Sequence, residues 1–129
     1  MDKKNGGIMT EKSLKNLEIV VKAADDRLAN DIIAMEVNHL TPLADYFVVM
    51  DARNDQQLKA IVEAIVEACD KEGIEIKNIE GKGSGRWILI DLIDVIVHVF
   101  HHSERSHYNI EGMWNDAPLV DLTDWVTPQ

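Results

Sequence analysis

Two carboxylates, Asp91 and Asp94, lie close together in the sequence, and Gly83-Ser84 precedes them. A Gly-Ser pair followed by two acids invites comparison with metal-dependent nucleotidyltransferases, which hold two metal ions about 4 Å apart. A strand presents two acids on one face at positions i and i+2, because successive side chains alternate. Since Asp91 and Asp94 are three positions apart, we expect them to flank a turn. We keep a divergent metal-dependent nucleotidyltransferase or nucleotide-binding protein as an alternative function for this chain.

Four histidines form a second candidate for chemistry. His98 falls within an apolar run, and His101, His102 and His107 follow it. Imidazoles bind zinc when several ligands converge, but the neighbours His101 and His102 are expected to point apart, and no cysteine lies nearby. We therefore predict no metal site and no cofactor. His98 needs a hydrogen-bond partner if its strand is buried.

Neither the glycine-rich loop nor the single cysteine predicts catalysis. The loop from Gly81 to Gly85 does not match a phosphate-binding loop, and a strand rather than a helix follows it. Cys69 lies on the apolar stripe of a predicted helix, where cysteine is usually a small core residue. The sequence contains no recognisable Ser-His-Asp pattern, although a triad assembled in space stays open. We predict that the chain is not an enzyme.

The aromatic residues Trp87 and Tyr108 point instead to binding. Large aromatic side chains are frequent at the centres of protein interfaces, because a rigid ring packs well while its polar edge stays hydrogen-bonded. Trp87 begins a predicted strand beside Arg86 and the glycine-rich loop, so we expect it to be partly exposed. Core packing is the alternative for Trp87 and the expectation for Trp114.

The composition indicates one acidic domain with a basic partner. Of 129 residues 46% are apolar, and 13 basic against 23 acidic side chains give a net charge of −10. This charge argues against direct nucleic-acid binding and favours a basic protein partner, although acidic surface also serves solubility. One cysteine excludes an intrachain disulfide, and no apolar run reaches the roughly 20 residues of a membrane span. We expect a cytoplasmic protein without membrane association.

Hydrophobic periodicity predicts the elements that position these residues. An amphipathic helix capped by Thr10 is expected to end at Asn30, and a second follows Asn54. A last helix is capped by Ser103 and runs to Ala117. The order αββαβββα predicts an α/β fold, a mixed β-sheet with flanking helices. The predicted strands are 32–37, 45–50, 74–80, 87–91 and 95–100, and the first helix is expected to bury Leu14, Leu17, Val21, Ala24 and Leu28.

The ends of the chain differ from its middle in composition. Residues 1–9 are predicted to be a disordered tail, because lysine, asparagine and glycine there offer nothing to pack. Residues 10–117 are predicted to form a single domain. Residues 118–129 are predicted to form an acidic C-terminal tail with one large apolar anchor, Trp125.

A set of short segments occurs in an order typical of one protein family. Ala-Asp-Tyr-Phe-Val-Val at 44–49, Asn-Asp-Gln-Gln at 54–57, and Glu80 before the glycine-rich loop come first. The strands at 87–91 and 94–100 carry most of the weight, and Glu104-Arg105, Tyr108 and Met113-Trp114 complete the set. In order and spacing, over roughly residues 14–117, these segments resemble the Iojap/ribosomal silencing factor (RsfS) family.

The resemblance implies a nucleotidyltransferase-like fold without catalytic activity. It implies binding to the large ribosomal subunit through a basic protein of its intersubunit face, large-subunit protein fourteen. Such a factor blocks joining of the small subunit and represses translation under nutrient limitation. A homodimer built on the sheet edge or on the Trp125 tail is also expected. The expected docking residues are Tyr46, Arg86, Trp87, Asp91, His98 and Tyr108, with Trp87 as the anchor.

Two residues depart from what the family and the predicted elements favour. The family usually has glycine just before the second acid of the turn, where this chain has Ile93. Isoleucine resists positive φ, so we expect a turn of another type or length. Gly112 falls inside the last predicted helix, where it should cost about 1 kcal/mol relative to alanine.

Overall fold

The computed structural model describes residues 11–83 and 86–128, and its elements confirm the predicted α/β order up to the last helix. The predicted tail at 1–9, the Thr10 cap and Ser84 lie outside the described residues. The elements are α1 (Glu11–Asp26), β1 (Asn30–Glu36), β2 (Tyr46–Ala52), α2 (Asp55–Lys71), β3 (Asn78–Glu80), β4 (Trp87–Asp91), β5 (Val95–His101), α3 (His102–Tyr108) and α4 (Ile110–Met113).

The five strands form one mixed sheet in the order β1-β2-β5-β4-β3. Only β2 and β5 pair in parallel, and the other neighbours are antiparallel. Every residue of β2 is buried, and β2 lies inside the sheet between β1 and β5. β3 has only three residues, Asn78–Glu80, and is shorter than the predicted 74–80.

Strand alternation divides the core between the two faces of the sheet. On one face, which we call the helix face, residues such as Tyr46, Val48 and Val97 pack with α1 and α2. On the other, which we call the aromatic face, Phe47 and Phe100 pack with residues from α4 and the segment after it. Odd- and even-numbered residues of one strand therefore belong to different faces of the sheet and to different cores.

The first helix is shorter than predicted, and its predicted apolar stripe is buried only in the middle, at Leu17, Val21 and Ala24. It ends at Asp26, Leu28 has a φ of 62°, and Asn30 already belongs to β1. Leu14 and Leu28 are 43% and 60% exposed, so the predicted stripe is wrong at both ends. Its buried positions include Ser13, whose hydroxyl donates a hydrogen bond to the carboxylate of Asp45.

The second helix follows its sequence signals closely. Asn54 Oδ1 accepts a hydrogen bond from Gln57 N at 2.8 Å, which caps the helix, and Gln57 Oε1 accepts one from the N–H of Arg53, the residue before the cap, at 2.7 Å. Gln57 Nε2 also donates to the carbonyls of Arg27 and Leu28, so the same side chain fixes the turn after α1. The helix ends before Gly73, which has a φ of 70°.

The last predicted helix is in fact two short helices joined at Asn109. Asn109 takes up a left-handed conformation with a φ of 49°, and its Oδ1 accepts a hydrogen bond from Gly112 N. The N-cap of α3 is His101 rather than Ser103. Gly112 is favourable here, because an added Cβ would overlap the Asn109 side chain that caps α4.

The segment predicted as an acidic tail covers the outer edge of β1. Glu36 N donates to the Pro118 carbonyl at 2.8 Å, and Val120 N donates to the Ala34 carbonyl at 2.9 Å. Leu122 is buried, and Trp125 packs against the helix-face core. Within the described residues, no helix is long and apolar enough to cross a membrane.

The turn between β3 and β4 yields a stability prediction. Gly81 has a φ of 92°, and a Cβ there would overlap the Trp87 carbonyl oxygen. Gly81→Ala should therefore lower the free energy of unfolding in urea by about 1–3 kcal/mol. Gly83→Ala is the matched control, because nothing lies within 4 Å of its added Cβ. Equal unfolding midpoints for the two variants would contradict the prediction.

Candidate functional site

Four side chains on the aromatic face form a contiguous group, which we call the aromatic cluster: Trp87, His98, Phe100 and Tyr108. The strand register places Trp87 of β4 opposite Phe100 of β5, with ring centroids 5.2 Å apart. Tyr108, the last residue of α3, brings its ring to 4.4 Å from Trp87 and 5.6 Å from Phe100. Trp87 is partly exposed, as predicted, and Tyr108 is 39% exposed. The cluster thus joins the buried core to the surface.

A hydrogen bond inside the cluster determines which ring nitrogen of His98 carries the proton. The Trp87 Nε1–H donates to His98 Nδ1 at 3.2 Å. An indole nitrogen only donates, so Nδ1 must be unprotonated and the neutral ring carries its proton on Nε2. Burial lowers the pKa of His98 to about 4, which keeps the ring neutral near pH 7. Nε2 is buried and has no hydrogen-bond partner among the residues that the structure describes.

A buried ion pair, absent from the sequence predictions, holds α3 against the sheet. Arg105 Nη1 lies 2.9 Å from Asp51 Oδ2, and Arg105 Nη2 lies 3.1 Å from Glu111 Oε2. Arg105 Nη1 also donates to the Asn30 carbonyl at 3.2 Å. The network joins β1, β2, α3 and α4, and so places Tyr108 over Trp87. The sequence signal for this ion pair was Asp51, an acid on the same face of its strand as the buried apolar residues Phe47 and Val49.

The exposed rim of the aromatic cluster carries the positive charge of Arg86. Its Nη1 lies 3.3 Å from Ser103 Oγ and 3.8 Å from Glu104 Oε2, so the start of α3 orients the guanidinium. Arg86 is largely exposed and directly precedes Trp87. The structure therefore brings together four of the six predicted docking residues: Arg86, Trp87, His98 and Tyr108.

The other two predicted docking residues lie elsewhere, and Tyr46 requires a correction. Tyr46 is only 3% exposed and packs in the helix-face core, because alternation along β2 turns it away from the aromatic face. Its burial raises the pKa of its hydroxyl to about 12. Asp91 shares the face of Trp87 and is partly exposed. It lies four residues further along β4, about 13 Å away.

The two acids of the nucleotidyltransferase alternative flank a tight turn, as predicted. Asp94 N donates to the Leu92 carbonyl at 3.0 Å, and Asp91 Oδ1 accepts from Ile93 N at 2.8 Å. Ile93 has a φ of 77°, so this isoleucine adopts the positive φ that its side chain resists. The Asp94 carbonyl accepts from Asp45 N, which ties the turn to the start of β2. Over residues 11–83 and 86–128, no three His, Cys, Asp or Glu side chains form a metal-binding group.

His101 caps a helix, and the rings of His101 and His102 do not point apart. The rings of His101 and His102 stack with centroids 4.8 Å apart, which corrects the predicted divergence. His101 Nδ1 lies 2.8 Å from Ser103 Oγ, and its Nε2 lies 3.8 Å from Asp55 Oδ1, an order that resembles a catalytic triad. The separation from Asp55 is too long for a hydrogen bond. Because Ser103 N also donates to Nδ1, the arrangement is that of a helix cap.

Fold and site together define a small α/β domain with a partly exposed aromatic cluster, a feature common at protein interfaces. The chain belongs to the family described as "Ribosomal silencing factor during starvation", whose model matches residues 10–129. The family relationship predicted from the sequence is thereby confirmed. The name of the family is that of a regulatory factor.

Bacterial and plant proteins show the relationship at different distances. The ribosomal silencing factor RsfS of Bacillus subtilis is 46% identical over 114 residues, which are 88% of this chain and 95% of that protein. The Halalkalibacterium halodurans factor is 42% identical over 82% of this chain and 91% of its own length. The chloroplastic protein Iojap of Zea mays is 28% identical over 80% of this chain and 45% of its own.

Solved structures share the fold. A crystal structure from Bacillus halodurans superposes with a TM-score of 0.76 at 38% identity, and covers 84% of this chain and 99% of that one. A crystal structure from Chromobacterium violaceum has a TM-score of 0.77 at 30% identity, over 79% and 85% of the two chains. The mixed sheet with flanking helices is therefore the fold of the family.

The buried neutral state of His98 predicts a pH dependence of stability. Its pKa is about 4 in the folded protein against an ordinary 6.5. Between these values the unfolded chain binds a proton that the folded protein does not, so stability falls as the pH falls. From about pH 7 to about pH 5, the wild type should lose about 2 kcal/mol more than His98→Phe in urea unfolding. Parallel pH profiles for the two proteins would contradict this assignment.

Proposed function

We propose that this protein binds the large ribosomal subunit through large-subunit protein fourteen, a basic protein of the intersubunit face. Bound there, it blocks joining of the small subunit and represses translation under nutrient limitation. The proposal makes the protein a regulator and not an enzyme. Membership of a family named for ribosomal silencing supports it. Localisation in the cytoplasm is part of the proposal.

The observation that carries the docking proposal is the partly exposed aromatic cluster beside Arg86. Trp87 has the character of an interface anchor, because its ring is supported from below by Phe100 and from the side by Tyr108. Apolar surface continues along the same face of β4 and β5 through Leu89 and Ile96, both partly exposed. The surface ends at Asp91.

Charge supports a basic partner for this surface. The net charge of −10 attracts a basic protein and speeds the encounter, while it repels the surrounding ribosomal RNA. Recognition of a protein therefore fits the chain better than direct recognition of RNA. Apolar contacts at Trp87 then supply the short-range affinity that charge alone does not.

Blocking of subunit joining requires only that the bound domain occupies space. A compact chain of this length has a radius of gyration of roughly 14 Å, so it is wide enough to separate two surfaces that must touch. No moving part or chemical step is needed. A rigid orientation of the docked domain is needed, and the Arg105–Asp51 pair supports it by fixing α3 to the sheet.

The sharpest test places a charge on the aromatic cluster without disturbing the core. Tyr108→Glu should weaken binding to isolated large subunits at least tenfold in sedimentation assays, because a carboxylate replaces an exposed ring at the interface centre. Leu14→Glu is the control, since Leu14 is 43% exposed, close to the 39% of Tyr108, and lies on α1 across the sheet. It adds the same charge and should bind normally.

Different results would count against different parts of the proposal. Wild-type protein that does not sediment with large subunits would refute the function, and unchanged binding of Tyr108→Glu would remove the aromatic cluster from the interface. Circular dichroism must show that both variants are folded. Heat from titration with Mg²⁺ and a nucleotide that disappears in Asp91→Asn would favour the nucleotide-binding alternative.

Self-association is the second interaction that we propose, as a reversible homodimer. A dimer formed through the sheet edge would use β3, because residues 118–120 occupy the edge of β1. The β3 edge is short and carries Asn78 and Glu80, features that limit edge pairing. We therefore expect weak association, seen in light scattering as a mass that rises with protein concentration. A constant monomer mass would refute the dimer.

A further inference from the structure

His98 lies directly beneath the proposed docking surface, yet it is only 5% exposed and cannot form much of the contact itself. We propose that His98 is a positioning residue: its Nδ1 accepts the Trp87 indole N–H and thereby holds the indole in the orientation presented to the partner. This inference rests on the proposed function. It assigns the predicted docking residue His98 a role that acts entirely through Trp87.

The strand register shows why a specific acceptor is needed. Trp87 lies opposite Phe100, whereas His98 lies opposite Leu89, so the hydrogen bond runs diagonally between neighbouring pairs. A diagonal contact fixes the rotation of the indole about its side-chain bonds as well as its depth. Stacking on Phe100 at 24° and the tilted contact with Tyr108 at 44° tolerate several ring positions, and the hydrogen bond selects one of them.

The imidazole is itself held in place by aromatic rings on the same face. Phe47 meets it edge to face with centroids 5.5 Å apart, and Phe100 lies parallel to it at 6.3 Å with an angle of 9°. These contacts leave Nδ1 directed at Trp87 and leave Nε2 buried without an acceptor in residues 11–83 and 86–128. A phenylalanine would pack equally well here and avoid a buried unpaired N–H. The acceptor for Trp87 is therefore what histidine adds.

Two substitutions separate the hydrogen bond from packing. His98→Phe keeps an aromatic ring and removes the acceptor, whereas His98→Asn can place an oxygen near the position of Nδ1 and loses volume. If His98 positions Trp87, affinity for large subunits should decrease in the order wild type, Asn, Phe. If His98 only fills space, the order of the variants should be reversed. We expect about a three- to tenfold loss for His98→Phe, the usual effect of one hydrogen bond.

A double-mutant cycle tests whether His98 acts through the indole. Trp87→Phe removes the donor and keeps an aromatic ring. In the Trp87→Phe background, His98→Phe should change affinity less than twofold, because the hydrogen bond is already absent. The same loss in both backgrounds would overturn the proposal, because His98 would then act independently of Trp87.

Nuclear magnetic resonance of the free protein provides a measurement that does not depend on the ribosome. The chain has three tryptophans, and the indole N–H signal of Trp87 is the one absent from Trp87→Phe. In His98→Phe this signal should shift and exchange faster with water, while those of Trp114 and Trp125 stay in place. An unchanged Trp87 signal would overturn the positioning role.

The binding assays and the nuclear magnetic resonance spectra together distinguish failure of this inference from failure of the proposed function. If the wild type does not bind large subunits, the proposed function fails and with it the docking role of His98, whatever the spectra show. If the wild type binds, and His98→Phe binds equally well with an unchanged Trp87 signal, only the positioning role fails. Should His98→Phe not fold, His98→Leu also removes the acceptor and takes its place in the cycle with Trp87→Phe and in the spectra, with the same expected and contradicting results.

Discussion

Strands β2 and β5 pair in parallel at the centre of the sheet, and all side chains of β2 and all but Ile96 and His101 of β5 are buried. A parallel pair requires a crossover, and α2 lies within the chain that connects them. The pairing aligns the alternation of the two strands, so that even-numbered residues of β2 and odd-numbered residues of β5 share the helix face. Both cores and the aromatic cluster depend on this register.

The two faces differ in the kind of interaction that holds them. The helix face is an apolar core around Leu17, Val48 and Ile65, stabilised mainly by burial and tolerant of similar shapes. The aromatic face contains the ion pair of Asp51 with Arg105 and the hydrogen bond of His98. Directional contacts specify orientation more strictly than apolar contacts do. Stability therefore depends more on the helix face, and the orientation of the proposed docking surface depends more on the aromatic face.

Features encoded by neighbouring residues could be predicted, whereas features that join distant segments could not. The bounds of β4 and the cap and end of α2 follow from β-branched runs, Asn54 and Gly73, all local signals. The early end of α1 depends on Gln57, 29 residues beyond Leu28, and α3 is held by Asp51, 54 residues before Arg105. Tyr46 was misplaced because its face depends on the pairing of β2 with β5.

The polar residues that suggested chemistry each make a contact that orders a neighbouring element. Asp91 accepts the Ile93 N–H and stabilises the turn, His101 caps α3, and His98 accepts the indole of Trp87. The contact of His98 joins β4 to β5, and that of His101 joins β5 to α3. A chain that uses its acids and histidines in this way presents a fixed shape, and a fixed shape is what the proposed blocking of subunit joining requires.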